Sequence, residues 1–421
     1  MNLSGVFSPP GDKSISHRIA LLSLLAKGKC SVSNFSTARD CMTSVNAVRQ
    51  LGVKAVFTDG RLELTGANRS LKSSTAIDCQ NSGTTMRLLM GILAGVSGQS
   101  TLWGDESIMK RPMERVAEPL RMMGSGIECA PSGTPPVKIK GSGLSGIDFE
   151  MPVASAQLKS AVLLAGIQAQ GSTRIKEPVR SRDHTERMLK MLGADISLDS
   201  GVWTVKRSEL KLPETFEVPG DPSSAAFFIC GAIMLPQSKM LCERVLLNPT
   251  RVAFLGKLRE MGADIEIEHK DDNPEPWGHI RANYSGKLAP CLVKADQLPM
   301  LIDEVPILTL LATQAHGVSV FEEIGELRIK ESDRISALIS ELGKMGARID
   351  LDGDNLLVHG PTTLRHSNTL NSFGDHRIAM TLTIGLALAS LNGHEESRIK
   401  DLDCVAVSYP DFFDVMKDLS A

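Results

Sequence analysis

One pattern recurs six times along this chain and restricts what it can fold into. A small or polar start leads into an apolar helical run and then glycine or a polar turn, at 14–27, 82–95, 155–171, 222–235, 304–317 and 375–393. The starts lie about 70 residues apart, a period that marks repeated supersecondary units. Short strand-like stretches follow the runs, such as 30–33 and 318–321. A second helical segment comes next. Five of these end in Leu or Met followed by Gly52, Gly124, Gly193, Gly262 or Gly346. Glycine just past a helix end supplies a left-handed cap. The words Met-Gly-Ala-Asp-Ile at 261–265 and Leu-Gly-Ala-Asp-Ile at 192–196 nearly coincide. The sixth copy, 410–419, stops where its glycine would fall.

The unit is therefore helix, strand, helix, strand, with additional strands. Six copies predict an α/β chain of two pseudo-symmetric domains, three units in each. An open solenoid is the rival, but helices this apolar need cover. Residues 217–222, with Pro219, Gly220 and Pro222, read as the hinge, and 273–276 as a surface loop.

The length of 421 residues suits two domains, and a 42% apolar content supports large cores. The net charge of −3 gives no global reason to bind nucleic acid or an acidic membrane surface. Only 4% aromatic residues argue against base stacking, and so against an RNA-processing enzyme. Eight cysteines are scattered without C-x-x-C pairs or zinc-like histidine spacing, so no metal site is expected and reduced thiols are. The apolar stretch 19–26 follows Lys13 and Arg18, but Pro9, Pro10 and His17 are foreign to a signal peptide. The later run 378–391 falls short of the roughly 20 residues that span a bilayer. A soluble cytoplasmic protein is expected.

Basic residues gather where first-type helices begin. Lys13 and Arg18 flank the first start, Arg87 and Lys159 lie in the opening turns of the second and third, and His376-Arg377 open the sixth. A helix N-terminus disfavours cations unless an anion sits there. Small residues accompany them: Gly11, Ser14 and Ser16, then Asn81 to Thr85, then Ser155. No nucleotide P-loop or G-x-G-x-x-G word is present. Lys330 and Arg334, four apart, fit one helical face, with Glu331 beside them as a candidate general acid. Arg111 is either a phosphate ligand or a loop charge. Asp303 and Glu304 open an apolar helix, where acidic residues are ordinary caps.

Four long strings carry a resemblance: Pro10 to Arg18, Asn81 to Arg87, Leu327 to Arg334, and Gly374 to Arg377. In order and over the whole chain, they resemble the 5-enolpyruvylshikimate-3-phosphate synthase family. Ser155 to Ser160 and Ser181 to Glu186 resemble its class II branch. The resemblance implies the two-domain enolpyruvyl transferase fold, an inside-out α/β barrel of six βαβαββ repeats with helix N-termini at a cleft. Carried over, one domain is 12–220 and the other 1–11 with 221–421, the chain crossing near 9–12 and 219–223. The implied reaction joins C2 of phosphoenolpyruvate to the 5-hydroxyl of shikimate 3-phosphate and releases phosphate. It requires no metal or organic cofactor. A monomer is expected, with these two small molecules as its partners.

Residue by residue, the resemblance implies that Lys13 touches both substrates. Shikimate 3-phosphate falls to Ser14, Arg18, Ser155, Ala156, Gln157, Ser181, Arg182, Asp303 and Lys330. Phosphoenolpyruvate falls to Asn81, Gly83, Arg111, Gln157, Arg334 and Arg377. Asp303 matches the base on the 5-hydroxyl and Glu331 the proton donor. Which of Asp303, Glu331 and Lys13 moves which proton stays open. Val407 stands where many class I members carry a lysine, in keeping with class II. Gly83 is expected to leave room for glyphosate. The sister enzyme acting on UDP-N-acetylglucosamine usually has a cysteine in the loop matching 104–112, which has none here. A non-catalytic anion-binding protein on the same repeats is the other alternative.

Overall fold

The computed structural model describes residues 2–72, 75–393 and 397–420. The chain forms two compact units, 11–218, and 1–10 with 219–421.

In the 11–218 unit, three sheets share one plan. Strand Thr75–Asp78 lies parallel to Gly98–Trp103, with helix Gly83–Ala94 between them in the chain. After helix Glu114–Met122, Gly126–Glu128 and Val137–Gly141 add an antiparallel hairpin. The third repeat repeats this with Asp148–Glu150, Ser172–Lys176, Val202–Lys206 and Ile196–Asp199. The first repeat takes its leading strand from the far end of the unit. Thr215–Glu217 lies parallel to Lys29–Ser33, beside Arg61–Thr65 and Lys54–Thr58.

The second unit follows the same plan. Its leading strand is Ser4–Phe7, parallel to Lys239–Leu246, followed by Trp277–Asn283 and Ile265–Asp271. The fifth sheet is Leu292–Val293, Gly317–Phe321, Asn355–Gly360 and Arg348–Asp352. The sixth has two strands, Thr369–Asn371 and Arg398–Lys400. Among the described residues no sheet closes on itself.

The first-type helices form the cores. All thirteen residues of Pro222–Met234 are buried, and so is every residue of Val305–Ala312. A helix apolar on every side has to be covered on every side, which rules out the open solenoid. Close approach also dictates sequence. A Cβ on Gly91 would lie 2.1 Å from the Ala161 carbonyl oxygen, so Gly83–Ala94 and Ala156–Gly166 pack nearly backbone to backbone. The second-type helices end as the word pattern predicts. Gly52, Gly124, Gly193, Gly262 and Gly346 all have positive φ, between 84° and 104°. A side chain there would strain the cap.

The loop 273–276 differs from the sequence reading. It joins two strands, but Glu275 is buried and accepts a hydrogen bond from Asn248 Nδ2 at 2.7 Å. The eight cysteines are free thiols, six of them buried. No helix among the described residues is long and apolar enough to cross a membrane.

Candidate active site

In the 11–218 unit, helix Lys13–Leu22 starts at Asp12, whose side chain caps the Ile15 amide. Lys13 and Ser14 are half-buried in its first turn. Lys13 Nζ lies 3.5 Å from Asp40 Oδ2. Arg18 is buried. Its Nε donates to Thr185 Oγ1 at 2.7 Å, Nη2 to Ser160 Oγ at 2.9 Å, and Nη1 to the Ser14 carbonyl at 2.9 Å. It thus ties the first helix to helices Ala156–Gly166 and His184–Met191 through the hydroxyls of Ser160 and Thr185.

Ser82 caps helix Gly83–Ala94 on the Thr85 amide. Asn81 precedes it, half-buried. Arg87 Nη1 donates to Gln157 Oε1 at 2.5 Å, and Gln157 Nε2 donates to Thr84 Oγ1 at 3.0 Å. A Cβ on Gly83 would stand 2.9 Å from Arg87 Nη1 and 3.4 Å from Arg111 Nη1. Asn81, Gly83, Arg87, Arg111 and Gln157 therefore converge around one helix N-terminus. Ser155 caps the neighbouring helix on the Leu158 amide, and Ala156 is its first residue. Ser181 donates through its hydroxyl to Glu177 Oε2 at 2.6 Å, and Arg182 follows it, half-buried.

Lys159 stands apart from this cluster. It is fully buried between two carboxylates, with Nζ 2.7 Å from Glu177 Oε1 and 2.7 Å from Glu186 Oε1. Burial pushes the Glu186 carboxyl up, against the pull of Lys159. Its cation is internal ballast for two acids 18 and 27 residues further along the chain, which helix position alone does not reveal. Lys159→Met should destabilise the protein by about 3–5 kcal/mol, because it strands buried carboxylates. Urea unfolding measures this, and adding Glu186→Gln should recover part of the loss. Ser16 and Gly11 stand apart too. The Ser16 hydroxyl accepts from the Ser36 amide, and Gly11 is small because a Cβ would meet the Asn34 carbonyl at 1.8 Å.

The other unit concentrates charge on three segments. Arg334, buried, opens helix Arg334–Lys344. Its Nε donates to Asp375 Oδ2 at 2.8 Å, Nη2 donates to Glu331 Oε2 at 2.7 Å, and Nη1 lies 3.7 Å from Asp303 Oδ1. Arg377 reaches the same aspartate from helix His376–Ala389, with Nη2 3.4 Å from Asp303 Oδ2 and Nη1 donating to the Asp303 carbonyl at 2.9 Å. Asp375 caps that helix by accepting from the Arg377 amide at 2.9 Å. Burial would raise the Asp375 carboxyl, but the Arg334 guanidinium outweighs it and holds it below the usual range.

Two sequence readings change here. Lys330 and Arg334 do not share a helical face. Lys330 ends a short 3-10 turn in extended conformation and Arg334 begins the next helix, so their spacing of four carries no helical register. Burial lowers the Lys330 amine, and the neighbouring Arg334 adds to that against the pull of Asp303. Nor is Asp303 a helix cap. Glu304 holds the cap position without a side-chain cap bond, while Asp303 sits between two guanidiniums. Asp40 and Asp375 were not singled out in the sequence. Asp375 was legible as the acid before His376, an N-cap position that also orients Arg334.

Across residues 1–416 the sequence matches the family model described as EPSP synthase (3-phosphoshikimate 1-carboxyvinyltransferase). The chain belongs to the EPSP synthase family. A 3-phosphoshikimate 1-carboxyvinyltransferase of Bacillus licheniformis is 44% identical over 100% of this chain and 98% of its own length. One from Thermodesulfovibrio yellowstonii is 46% identical over 99% and 97%. The EPSP synthase structure from Acinetobacter baumannii superposes with a TM-score of 0.88 at 36% identity, covering 100% of this chain and 96% of that one. The enolpyruvyl transferase NikO from Streptomyces tendae, at 17% identity and a TM-score of 0.78, shares the fold. As an EPSP synthase family member the chain is an enolpyruvyl transferase, with the fold class that the six repeats predict.

Proposed function

We propose that this chain transfers the enolpyruvyl group of phosphoenolpyruvate to the 5-hydroxyl of shikimate 3-phosphate, releasing phosphate. The observation that carries the reading is Asp303 set between Arg334 and Arg377 with Glu331 on the same guanidinium. Two guanidiniums suit a small phosphorylated acid, and a carboxylate held beside them is placed to take a proton.

Glu331 gives a proton to C3 of phosphoenolpyruvate, and C2 gains cationic character. The 5-hydroxyl oxygen bonds to C2 as Asp303 accepts its proton. In the elimination Glu331, now a carboxylate, takes a proton back from C3 as the C2–O bond to phosphate breaks, and the phosphate leaves with the proton that Asp303 had accepted, which restores the C2–C3 double bond. Lys13, Asn81, Gly83, Arg111, Gln157, Arg334 and Arg377 hold phosphoenolpyruvate. Lys13, Ser14, Arg18, Ser155, Ala156, Gln157, Ser181, Arg182, Asp303 and Lys330 hold shikimate 3-phosphate. The two domains are 12–220 and 1–11 with 221–421, within two residues of the units 11–218 and 1–10 with 219–421, in a cytoplasmic monomer.

Phosphate release measured with both substrates tests the reading. Turnover should require both. No release, or release with UDP-N-acetylglucosamine as acceptor instead, would refute it. Gly83→Ala crowds Arg87 and Arg111, and the KM for phosphoenolpyruvate should rise about tenfold, an overpacking cost of 1–3 kcal/mol. The same assay should show inhibition by glyphosate, for which Gly83 leaves space.

A further inference from the structure

Beneath Lys13 lies a group that the reaction above does not use. His17, one turn along the same helix, is buried and points at helix Arg39–Gln50. Its Nε2 is 3.4 Å from Asp40 Oδ2, the oxygen that also faces Lys13 Nζ at 3.5 Å. Its Nδ1 is 2.8 Å from Ser44 Oγ. From there a file of hydroxyls continues, Ser44 Oγ to Thr85 Oγ1 at 2.7 Å and Thr85 Oγ1 to Ser82 Oγ at 2.8 Å. Ser82 is the cap of helix Gly83–Ala94 and neighbours both Asn81 and Gly83. Asp40 itself also interacts with Ser82.

We propose that His17 is a positioning residue, fixing Asp40 against Lys13 on one side and the Ser44–Thr85–Ser82 hydroxyls on the other, so that Lys13 and the Asn81–Gly83 turn are held as one element. The proposal rests on the functional reading above, which puts Lys13 and that turn on the substrates. A buried polar file of this kind is costly unless every member is satisfied, and rigid when it is. A ring that is a donor at both nitrogens orders the whole file. It gives one proton to Ser44, which then donates onward to Thr85, and turns its other N–H toward Asp40 Oδ2 at ion-pair distance.

The groups facing the ring are Lys13 from its own helix, Asp40, Cys41 and Ser44 from helix Arg39–Gln50, and Thr85 through Ser44. Burial opposes charge on the ring, but Cys41 and Asp40 beside it outweigh burial and push His17 up to about 10. In turn, burial would raise Asp40, yet His17 and Lys13 hold it well below the usual carboxylate range. Lys13 thus stands on a carboxylate that stays ionised while the ring beneath it stays protonated.

The test pairs nitrogen NMR of the intact protein with kinetics. In long-range spectra between pH 7 and 8, the His17 ring, assigned by its loss in His17→Gln, should show both nitrogens protonated. A neutral ring in that range would overturn the proposal. In His17→Phe, which keeps a ring but no polar atoms, kcat/KM for phosphoenolpyruvate should fall about tenfold to a hundredfold, as expected when a binding group is misplaced by about 1 Å. His17→Gln, whose amide nitrogen can replace Nε2 toward Asp40, should recover most of that loss at equal thermal stability. Equal loss in both variants, or loss in neither, would also overturn it. If His17→Phe does not fold, the spectra and the glutamine variant decide. Absence of turnover in the unaltered enzyme would count instead against the functional reading.

Discussion

Replacing Arg334 with methionine is expected to lower turnover about 10²–10³-fold, the cost of losing a preorganised charge at the reacting group. The same change should destabilise the protein by about 3–5 kcal/mol, because its removal strands buried carboxylates. Three acids depend on this one guanidinium: Asp375 at Nε, Glu331 at Nη2 and Asp303 near Nη1. Asp375 is fully buried, and without Arg334 its carboxyl rises toward the neutral form, loosening the cap of helix His376–Ala389. Arg334→Lys should rescue little, since one ammonium cannot reach three acids set around a planar fork. Urea denaturation and steady-state kinetics on both variants check this. Wild-type stability and turnover in Arg334→Met would contradict the assignment.

The second large effect belongs to Asp303. Asp303→Asn keeps the shape of the side chain, and the backbone carbonyl still accepts from Arg377. What it loses is a base. The kcat should fall about 10²–10⁴-fold, the usual contribution of a positioned proton acceptor. The KM for shikimate 3-phosphate should move only a few-fold, and the melting temperature little. A change confined to KM would make Asp303 a binding group and return the proton transfer to Lys13 or Glu331.

The repeat architecture was open to reading because it rests on local chemistry. Six apolar runs and five glycines with left-handed backbone angles are written in consecutive residues. Much of the candidate site was equally legible, through strings such as Asn81 to Arg87, whose members do gather around one helix N-terminus. What the sequence hid was pairing at a distance. Lys159 looked like the other basic residues at helix starts, but Glu177 and Glu186 claim it. Lys330 and Arg334 looked helical by spacing, but a break in the backbone between them removes the register. His17 was marked only as a residue foreign to a signal peptide, because its acid arrives from the next helix.

The parallel pairing of Ser4 with Lys239 has a consequence for how the chain is made. Strand Ser4–Phe7 waits, with Phe7 as yet uncovered, until residues far downstream of it are made. Meanwhile the 11–218 unit holds all of its own partners, including Thr215–Glu217 for Lys29–Ser33, and can mature first. Distant partners are reached slowly, and unpaired strands invite association in the interval. Strand Ser4–Phe7 is therefore secured only after the unit that follows it in the chain has formed.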